Sequence, residues 1–501
     1  MQIPFTKPTF SLLDYQAEDL PTILNTPRGL VAYSTGLGKA IIELACAAYI
    51  KSRKADYPVF IFTKASLLKQ LIVEHKLNFD TDTFPLTLIN SDPVQGKDYR
   101  IKLWQDYIQN KKGICLVSYD ILYTDFYKIK NLIKGLGTYC VFLDEISVAK
   151  NKSSKLNRIL SAFCMYATRV VGLDATPISE ALDDLYGVFR VIKPDIFKDF
   201  ESFASDYLIQ KEIKPYIKIT IGYRNLELLK LKIQPYIIRR LKTEVNIALP
   251  TFHEEHMFIE MTTQQKGGIE AFKHDPDLNP LTMLIRLQQI SDYPEKFFGA
   301  SAINPKFEVA EKLLYTLRHE KTLLFCQYLS IIDQIADRLS CKGVVFGRIT
   351  GSESFSEREV FKDKFNDGDL NLILLTRAGM KGLNLHGASR LVFYDSVFSF
   401  GQQIQLIGRI HRLRSLHKDI YIHYLINKGS VDEYVHKILS KKSKLIQAIF
   451  EGKIDHPAYS DLKVRASDVL KAMGFKKPVN IQLADDSFEG ADGTDSFKVE
   501  G

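Results

Sequence analysis

Short, unbroken apolar runs alternate with longer stretches of helical period along most of this chain. In the first half the runs are residues 29–33 (GLVAY), 139–143 (YCVFL) and 169–171 (RVV). In the second they are 322–325 (TLLF), 371–376 (NLILLT) and 391–394 (LVFY). A run of this length without polar alternation marks a strand covered on both faces, as in a parallel sheet. The stretches between them, such as IIELACAAYI at 41–50, SIIDQIADRL at 330–339 and SEREVFKDKF at 356–365, read as helices. Strands alternating with helices in each half predict an α/β fold with two parallel sheets. Residues 430–433 (SVDE) form a capping-box pattern that opens a further helix over 431–450. The expected organisation is a first lobe over 1–190, a helical protrusion and connection over 191–249, a second lobe over 250–455 and an extension over 456–501. After about residue 480 the chain is acidic, with few apolar groups (ADDSFEGADGTDSFKVEG), and is expected to be disordered.

Composition narrows the class without identifying it. At ~100–200 residues per domain, 501 residues leave room for several domains, and 46% hydrophobic content supports full cores. No run approaches the ~18 apolar residues of a membrane span, and the start (MQIPFTKPTFSLLDY) lacks the pattern of a signal peptide. Six cysteines with no CxxC pair suggest reduced, buried thiols in an intracellular protein. A net charge of +8 suits a nucleic-acid partner but does not single one out. No repeat of 20–50 residues and no zinc module is evident.

The candidate chemistry follows the strands. After GLVAY comes STGLGKA (34–40), then a helix. Strand, glycine loop and helix in this order suit a phosphate loop. Gly36 and Gly38 let backbone N–H groups close round phosphate oxygens, the helix N-terminus adds its dipole, and Lys39 adds a full charge. Asp144 and Glu145 close the run YCVFL, where acidic side chains face the ligand crevice of an open α/β sheet. Asp144 is the natural Mg²⁺ partner, and Glu145 is placed to activate an attacking water. Thr176 and Pro177 form a polar turn near the same crevice. Gln16 could read adenine through its amide, although alone it reads as a surface residue. In the second half, residues 405–413 read as helix, which would place Arg409 and Arg412 on one face. R-x-x-R alone is more often a solvated basic face; Gln405, Gly408 and His411 in the same segment favour triphosphate contacts.

With these residues in view, the sequence resembles superfamily-two helicases of the Swi/Snf type from Leu12 to about Leu439. The resemblance is carried by LLDYQAEDL, ICLVSYDIL, LDEISVAKNKSSK, LDATPISEALDDLYGVF, QPYIIRRLKTEV and LIRLQQISDYPEKF. TLLFCQY, ITGSESFSERE, LLTRAGMKGLNLHGASRLVFYD and QLIGRIHRLR complete it. It implies two RecA-like lobes in tandem, with ATP and Mg²⁺ as cofactors. By position it assigns Lys39, Asp144, Glu145, Arg409 and Arg412 to catalysis. Gln16, Thr35, Gly36, Leu37, Gly38, Lys39 and Ala40 would bind nucleotide, with Asp144 on the metal. Ser118, Lys150, Thr176, Thr376 and Arg377 would contact nucleic acid or couple hydrolysis to movement. The sequence departs from the pattern at Ala40, where a Ser or Thr usually supplies a metal-binding hydroxyl. It departs again at Tyr33, where Gly or Ala is usual, at Ser147, which replaces His, and at Arg414-Ser415, which replaces Gly-Gln.

The implied function is an ATP-driven motor on double-stranded or branched DNA, serving remodelling, branch migration or repair. Its partners would be DNA and replication or recombination proteins, with no membrane association, and it would act as a monomer. A phage or mobile-element origin and action in the cytoplasm or nucleoid of a bacterial host fit so compact a motor. Two alternatives stand beside it. One is a nucleotide-sensing DNA clamp with little turnover, suggested by Ala40 and Ser147; the other is an RNA helicase. Lys437, Lys441, Lys442 and Lys444 suit a solvated helix face better than phosphate contacts.

Overall fold

The computed structural model describes residues 2–90, 96–177, 182–214, 217–242, 244–245, 249–272, 280–377, 385–412, 415–440, 469–470 and 472–475. Two compact units divide between Ile247 and Ala248. The acidic tail, most of the 456–501 extension and residues 441–450 of the expected helix lie outside the described residues.

In the first unit, helix α1 (Asp14–Asn25) precedes strand β1 (Arg28–Tyr33) and helix α2 (Lys39–Arg53). Strands β2 (Val59–Thr63), β3 (Leu86–Ile89), β4 (Ile114–Ser118), β5 (Cys140–Asp144) and β6 (Arg169–Leu173) follow, separated mostly by helices. Every residue of β2, β4 and β5 is buried, which explains their unbroken apolar sequences. Successive side chains enter opposite cores. Val141 and Leu143 pack with Trp104, Tyr107 and Phe163 on one face. Cys140 and Phe142 pack with Leu44, Ala45 and Ala48 of α2 on the other.

Residues 191–249, expected to be largely helical, do not read that way in full. Short helices Phe200–Tyr207 and Leu226–Ile233 flank an antiparallel hairpin of β7 (Leu208–Lys214) and β8 (Ile217–Tyr223). The β8 sequence IKITIGY is rich in β-branched residues, which favour a pleated backbone. Strand β9 (Ile237–Arg240) then joins the main sheet beside β1, with Leu30 opposite Ile237 and Tyr33 opposite Arg240. The sheet order is β3-β4-β2-β5-β6-β1-β9, parallel throughout. The carboxyl ends of β5, β6 and β1 are therefore neighbours.

The second unit carries β10 (Thr251–Ile259), β11 (Thr322–Phe325), β12 (Gly347–Ile349), β13 (Leu372–Leu375), β14 (Arg390–Phe393) and β15 (Asp419–Asn427). They form a parallel sheet in the order β10-β15-β14-β11-β13-β12. One flank of this unit is held by ions. Lys306, fully buried, pairs with Asp292 at 2.7 Å and with Asp432. Gln288 Nε2 also donates to Asp432 at 3.1 Å. The helix start at Ser430 modifies the expected capping box. The Ser430 hydroxyl accepts from Asp432 N at 3.2 Å, while Glu433 reaches back to Gly429 N at 2.6 Å.

Candidate nucleotide site

Strand β1 ends at Tyr33, and the glycine loop turns directly into α2. Gly36 and Gly38 have φ of 86° and 67°, a region that strains any residue with a Cβ. Gly38 caps α2, and a Cβ there would also lie 2.5 Å from Gln16 Nε2. The loop is braced from behind. Tyr15 Oη donates to Leu37 O at 2.8 Å, and Gln16 Nε2 lies 3.3 Å from Leu37 O and 3.4 Å from Gly38 O. Gln16 Oε1 accepts from Leu13 N at 3.1 Å, so this buried amide is engaged with the loop and the start of α1. Lys39 Nζ donates to Tyr33 O at 3.2 Å. The bulk of Tyr33 is accommodated inward: its hydroxyl donates to Asp19 at 2.7 Å, and Arg240 of β9 grips the same carboxylate at 2.9 and 2.7 Å.

The acidic side of the site comes from the neighbouring strand ends. Asp144 Oδ2 accepts from the Thr63 hydroxyl at 2.8 Å, and the Asp144 main-chain carbonyl accepts from Tyr119 Oη at 2.7 Å. Burial, then the charge of Glu145, pushes the Asp144 carboxyl up to about 6, against the opposing Thr63 hydrogen bond and Lys39 charge. Glu145 sits at φ 55°, in the left-handed region that non-glycine residues rarely occupy and that recurs at functional sites. Lys64 approaches its carboxylate at 3.4 Å. Asp174, just beyond β6, accepts from Ser147 N and from Thr176 N, both at 2.8 Å. It thereby ties the turn after the acidic pair to the Thr176 turn. Burial, then Glu145, raises its pKa.

Thr63, Lys64, Asp19 and Asp174 are not singled out by the sequence, and Arg240 enters it only as one of the paired arginines of QPYIIRRLKTEV. Asp174 could have been, because it closes an apolar strand as Asp144 does. Thr63 ends the run VFIFT and Lys64 follows it in the same way. Arg240 and Asp19 lie more than 200 positions apart, and no local pattern pairs them.

The remaining candidates fall in several places. Ser118 is buried, and its hydroxyl accepts from Ile121 N at 3.3 Å as the cap of helix Tyr119–Lys134. It caps that helix in this structure. Lys150 closes the short turn Ile146–Ala149, its main-chain N–H donating to Ser147 O at 3.1 Å. Thr376, at the end of β13, is also buried, and its hydroxyl donates to Thr350 O. The Arg377 guanidinium faces the side-chain amide of Gln402, at 2.7 and 3.3 Å. The helix expected over 405–413 stops earlier. Phe400–Ile407 is helical and Gly408 caps it, so Arg409 and Arg412 lie in the turns that follow. There Arg409 N donates to Leu406 O and Arg412 N to Ile410 O, a tighter winding than an α-helix. Arg412 Nε also donates to Gly408 O at 2.5 Å. Lys39, Asp144 and Glu145 thus belong to the first unit, and Arg409 and Arg412 to the second.

A glycine loop after β1 and an acidic pair after β5, in one of two parallel-sheet units, define a P-loop protein of the superfamily-two helicase class. Within that class the chain belongs to the SNF2-related family. The family model for the SNF2-related domain matches residues 23–300, and that for the helicase conserved C-terminal domain matches 305–414. Among curated proteins it is similar to the mouse chromodomain-helicase-DNA-binding protein 1-like, 28% identical over 450 residues, covering 83% of this chain and 47% of that protein. It is also 25% identical to the Arabidopsis thaliana ATP-dependent DNA helicase DDM1, covering 93% of this chain and 65% of the relative. An uncharacterized ATP-dependent helicase of Mycoplasma pneumoniae is 25% identical, over 87% of this chain and 42% of that protein. The chain thus spans about half the length of the curated relatives it matches. Among solved structures, the Sulfolobus solfataricus SWI2/SNF2 ATPase core in complex with dsDNA aligns with a TM-score of 0.43 and 21% identity, covering 90% of this chain and 95% of that one.

Proposed function

We propose that this chain hydrolyses ATP at the carboxyl ends of β1, β6 and β5 and uses the cycle to move along double-stranded or branched DNA inside the cell. The observation that carries this reading is that the Lys39 loop and the pair Asp144 and Glu145 stand at the same edge of one parallel sheet, on strand ends separated only by β6, in a chain whose residues 23–300 and 305–414 match the two family models. Loop N–H groups and Lys39 hold the phosphates at the start of α2. Glu145 orients and deprotonates the attacking water. Arg409 and Arg412 are assigned to the charge that spreads over the transferred phosphoryl group.

The residues present fit a magnesium ion: the strand ends offer hard carboxylate oxygens, and a further buried carboxylate, Glu43, has no hydrogen-bond partner among the described residues. Asp144 would hold the ion, which when bound would neutralise charge on the phosphate oxygens. The family's use of ATP and the DNA in the names of relatives such as the Arabidopsis thaliana ATP-dependent DNA helicase support this substrate pair.

The test is a panel of duplex DNA, branched DNA, single-stranded DNA and RNA as stimulators of ATP hydrolysis, with Lys39→Ala as control. Duplex or branched DNA is expected to raise the rate at least tenfold, and Lys39→Ala to abolish hydrolysis. Equal, unstimulated rates for both proteins would favour a nucleotide-sensing clamp. Stimulation by RNA alone would favour an RNA helicase.

A further inference from the structure

Glu43 lies one turn into α2, between Ile42 and Leu44, and is 1% exposed. Both of its carboxylate oxygens are buried without a hydrogen-bond partner among the described residues. Its neighbours along the helix, Ala45, Cys46, Ala47 and Ala48, belong to an apolar core. An uncompensated carboxyl in such a place is destabilising, and a leucine or methionine would fill the same space at less cost. Burial, and then the charge of Asp144, drives its pKa well above the ordinary carboxylate range. Something other than packing therefore accounts for an acid at this position.

Helix geometry indicates what that is. Side chains on a helix lean toward its N-terminus, and residues three apart are neighbours. Glu43 therefore leans over the turn that contains Lys39 and Ala40, and it shares a face with Ala40. Ala40 is where a P-loop ordinarily supplies a hydroxyl to the nucleotide's metal ion. On the sheet beneath, Cys140 and Phe142 point to the side covered by α2, and strand periodicity sends Asp144 to that side as well. No group of three or more His, Cys, Asp or Glu residues converges as a preformed metal site among the described residues. A magnesium ion bound through one or two carboxylates, phosphate oxygens and water needs none.

We propose that the carboxylate of Glu43 joins Asp144 in holding the divalent cation of the bound nucleotide, replacing the hydroxyl that Ala40 lacks. This rests on the reading of the glycine loop as a nucleotide site. It makes the alanine a compensated change: the metal ligand has moved one helical turn along the same face. It also explains the orphaned oxygens, since their partner arrives with the nucleotide.

The experiment measures Mn²⁺ binding by electron paramagnetic resonance in the presence of a slowly hydrolysed ATP analogue. Affinity for a fluorescent nucleotide in EDTA is measured separately. Glu43→Gln is expected to weaken Mn²⁺ at least tenfold and leave metal-free nucleotide affinity unchanged. Glu43→Leu should raise the melting temperature of the free protein, because it removes an uncompensated acid without leaving another buried polar group unpaired. Ala40→Thr in the Glu43→Gln background should restore Mn²⁺ binding. If Glu43→Gln does not fold, Glu43→Asp carries the same Mn²⁺ test, its carboxylate being one methylene short. Unchanged Mn²⁺ affinity in the folded variant overturns the proposal while leaving nucleotide binding intact. Absence of nucleotide binding by the parent under both conditions overturns the underlying site assignment and this proposal with it.

Discussion

At Asp144, burial and a neighbouring acid act against a hydroxyl and a lysine, and the outcome sets how the site responds to pH. Above about 6 the carboxyl is ionised and can take a cation; as the pH falls through that value a proton competes. The Thr63 hydroxyl favours the ionised form. Thr63→Val should therefore raise the pKa further and move the acid-side loss of Mg²⁺ affinity to higher pH. Losing a hydrogen bond to a charged group should weaken Mg²⁺ roughly tenfold near pH 6.5, measurable by metal titration of the nucleotide complex across pH 5.5–8. An unmoved profile would mean that the Thr63 bond does not act on the ionised carboxylate. The glycines, Lys39 and the Asp-Glu pair were legible in the sequence because each stands at a fixed place in a strand–loop–helix pattern. Thr63 and Asp174 share that strand-end position but lack a second signal. Gln16 stands beside the glycine loop, its amide hydrogen-bonding the loop's own backbone, which sequence alone does not show.

The elements most readable in advance were those with one-sided chemistry. Unbroken apolar strands such as β5 and β13 reveal themselves through burial on both faces. Strand β10 does not: its sequence, TFHEEHMFI, mixes charged and apolar residues and reflects an edge position beside β15, with most of its residues exposed or half-buried. In the hairpin β7–β8 the polar sequence of β7 (LIQKEIK) masks the strand signal of the β-branched β8. Nor could sequence show that helices Pro280–Asp292 and Pro305–Thr316 are tied through one buried lysine. Lys306 is held ionised by two carboxylates, of which Asp432, stabilised further by Ser396 N and Gln288, is the charged partner. Lys306→Met would leave both acids buried without their cation. That should destabilise the second unit by about 3–5 kcal/mol, seen as an earlier unfolding transition in urea. The first unit, which contains none of these groups, should unfold unchanged.

For the molecule as a whole, the division into two parallel-sheet units was plain from two blocks of strand–helix alternation, and it needed no motif. The place where one unit ends was less plain, because β9 belongs by hydrogen bonding to the first sheet although it lies far along the chain from β1. A protein that tracks DNA through its phosphates reads little sequence, so binding should be nearly independent of base composition and should weaken steeply with salt. Between 50 and 200 mM salt the affinity for duplex DNA is expected to fall by about 10³-fold or more if six or more phosphates are neutralised. Fluorescence anisotropy on two unrelated duplexes would measure both properties, and strong discrimination between the duplexes would count against a tracking motor.

The way β9 is fastened has a mechanical consequence. A polypeptide leaving a domain usually departs as a slack tether, but here the last segment before the unit boundary is laced to β1 through four residue pairs and pinned at Arg240 to Asp19. A pull on the outgoing chain therefore acts first on a strand paired with Tyr33, the residue at the threshold of the glycine loop.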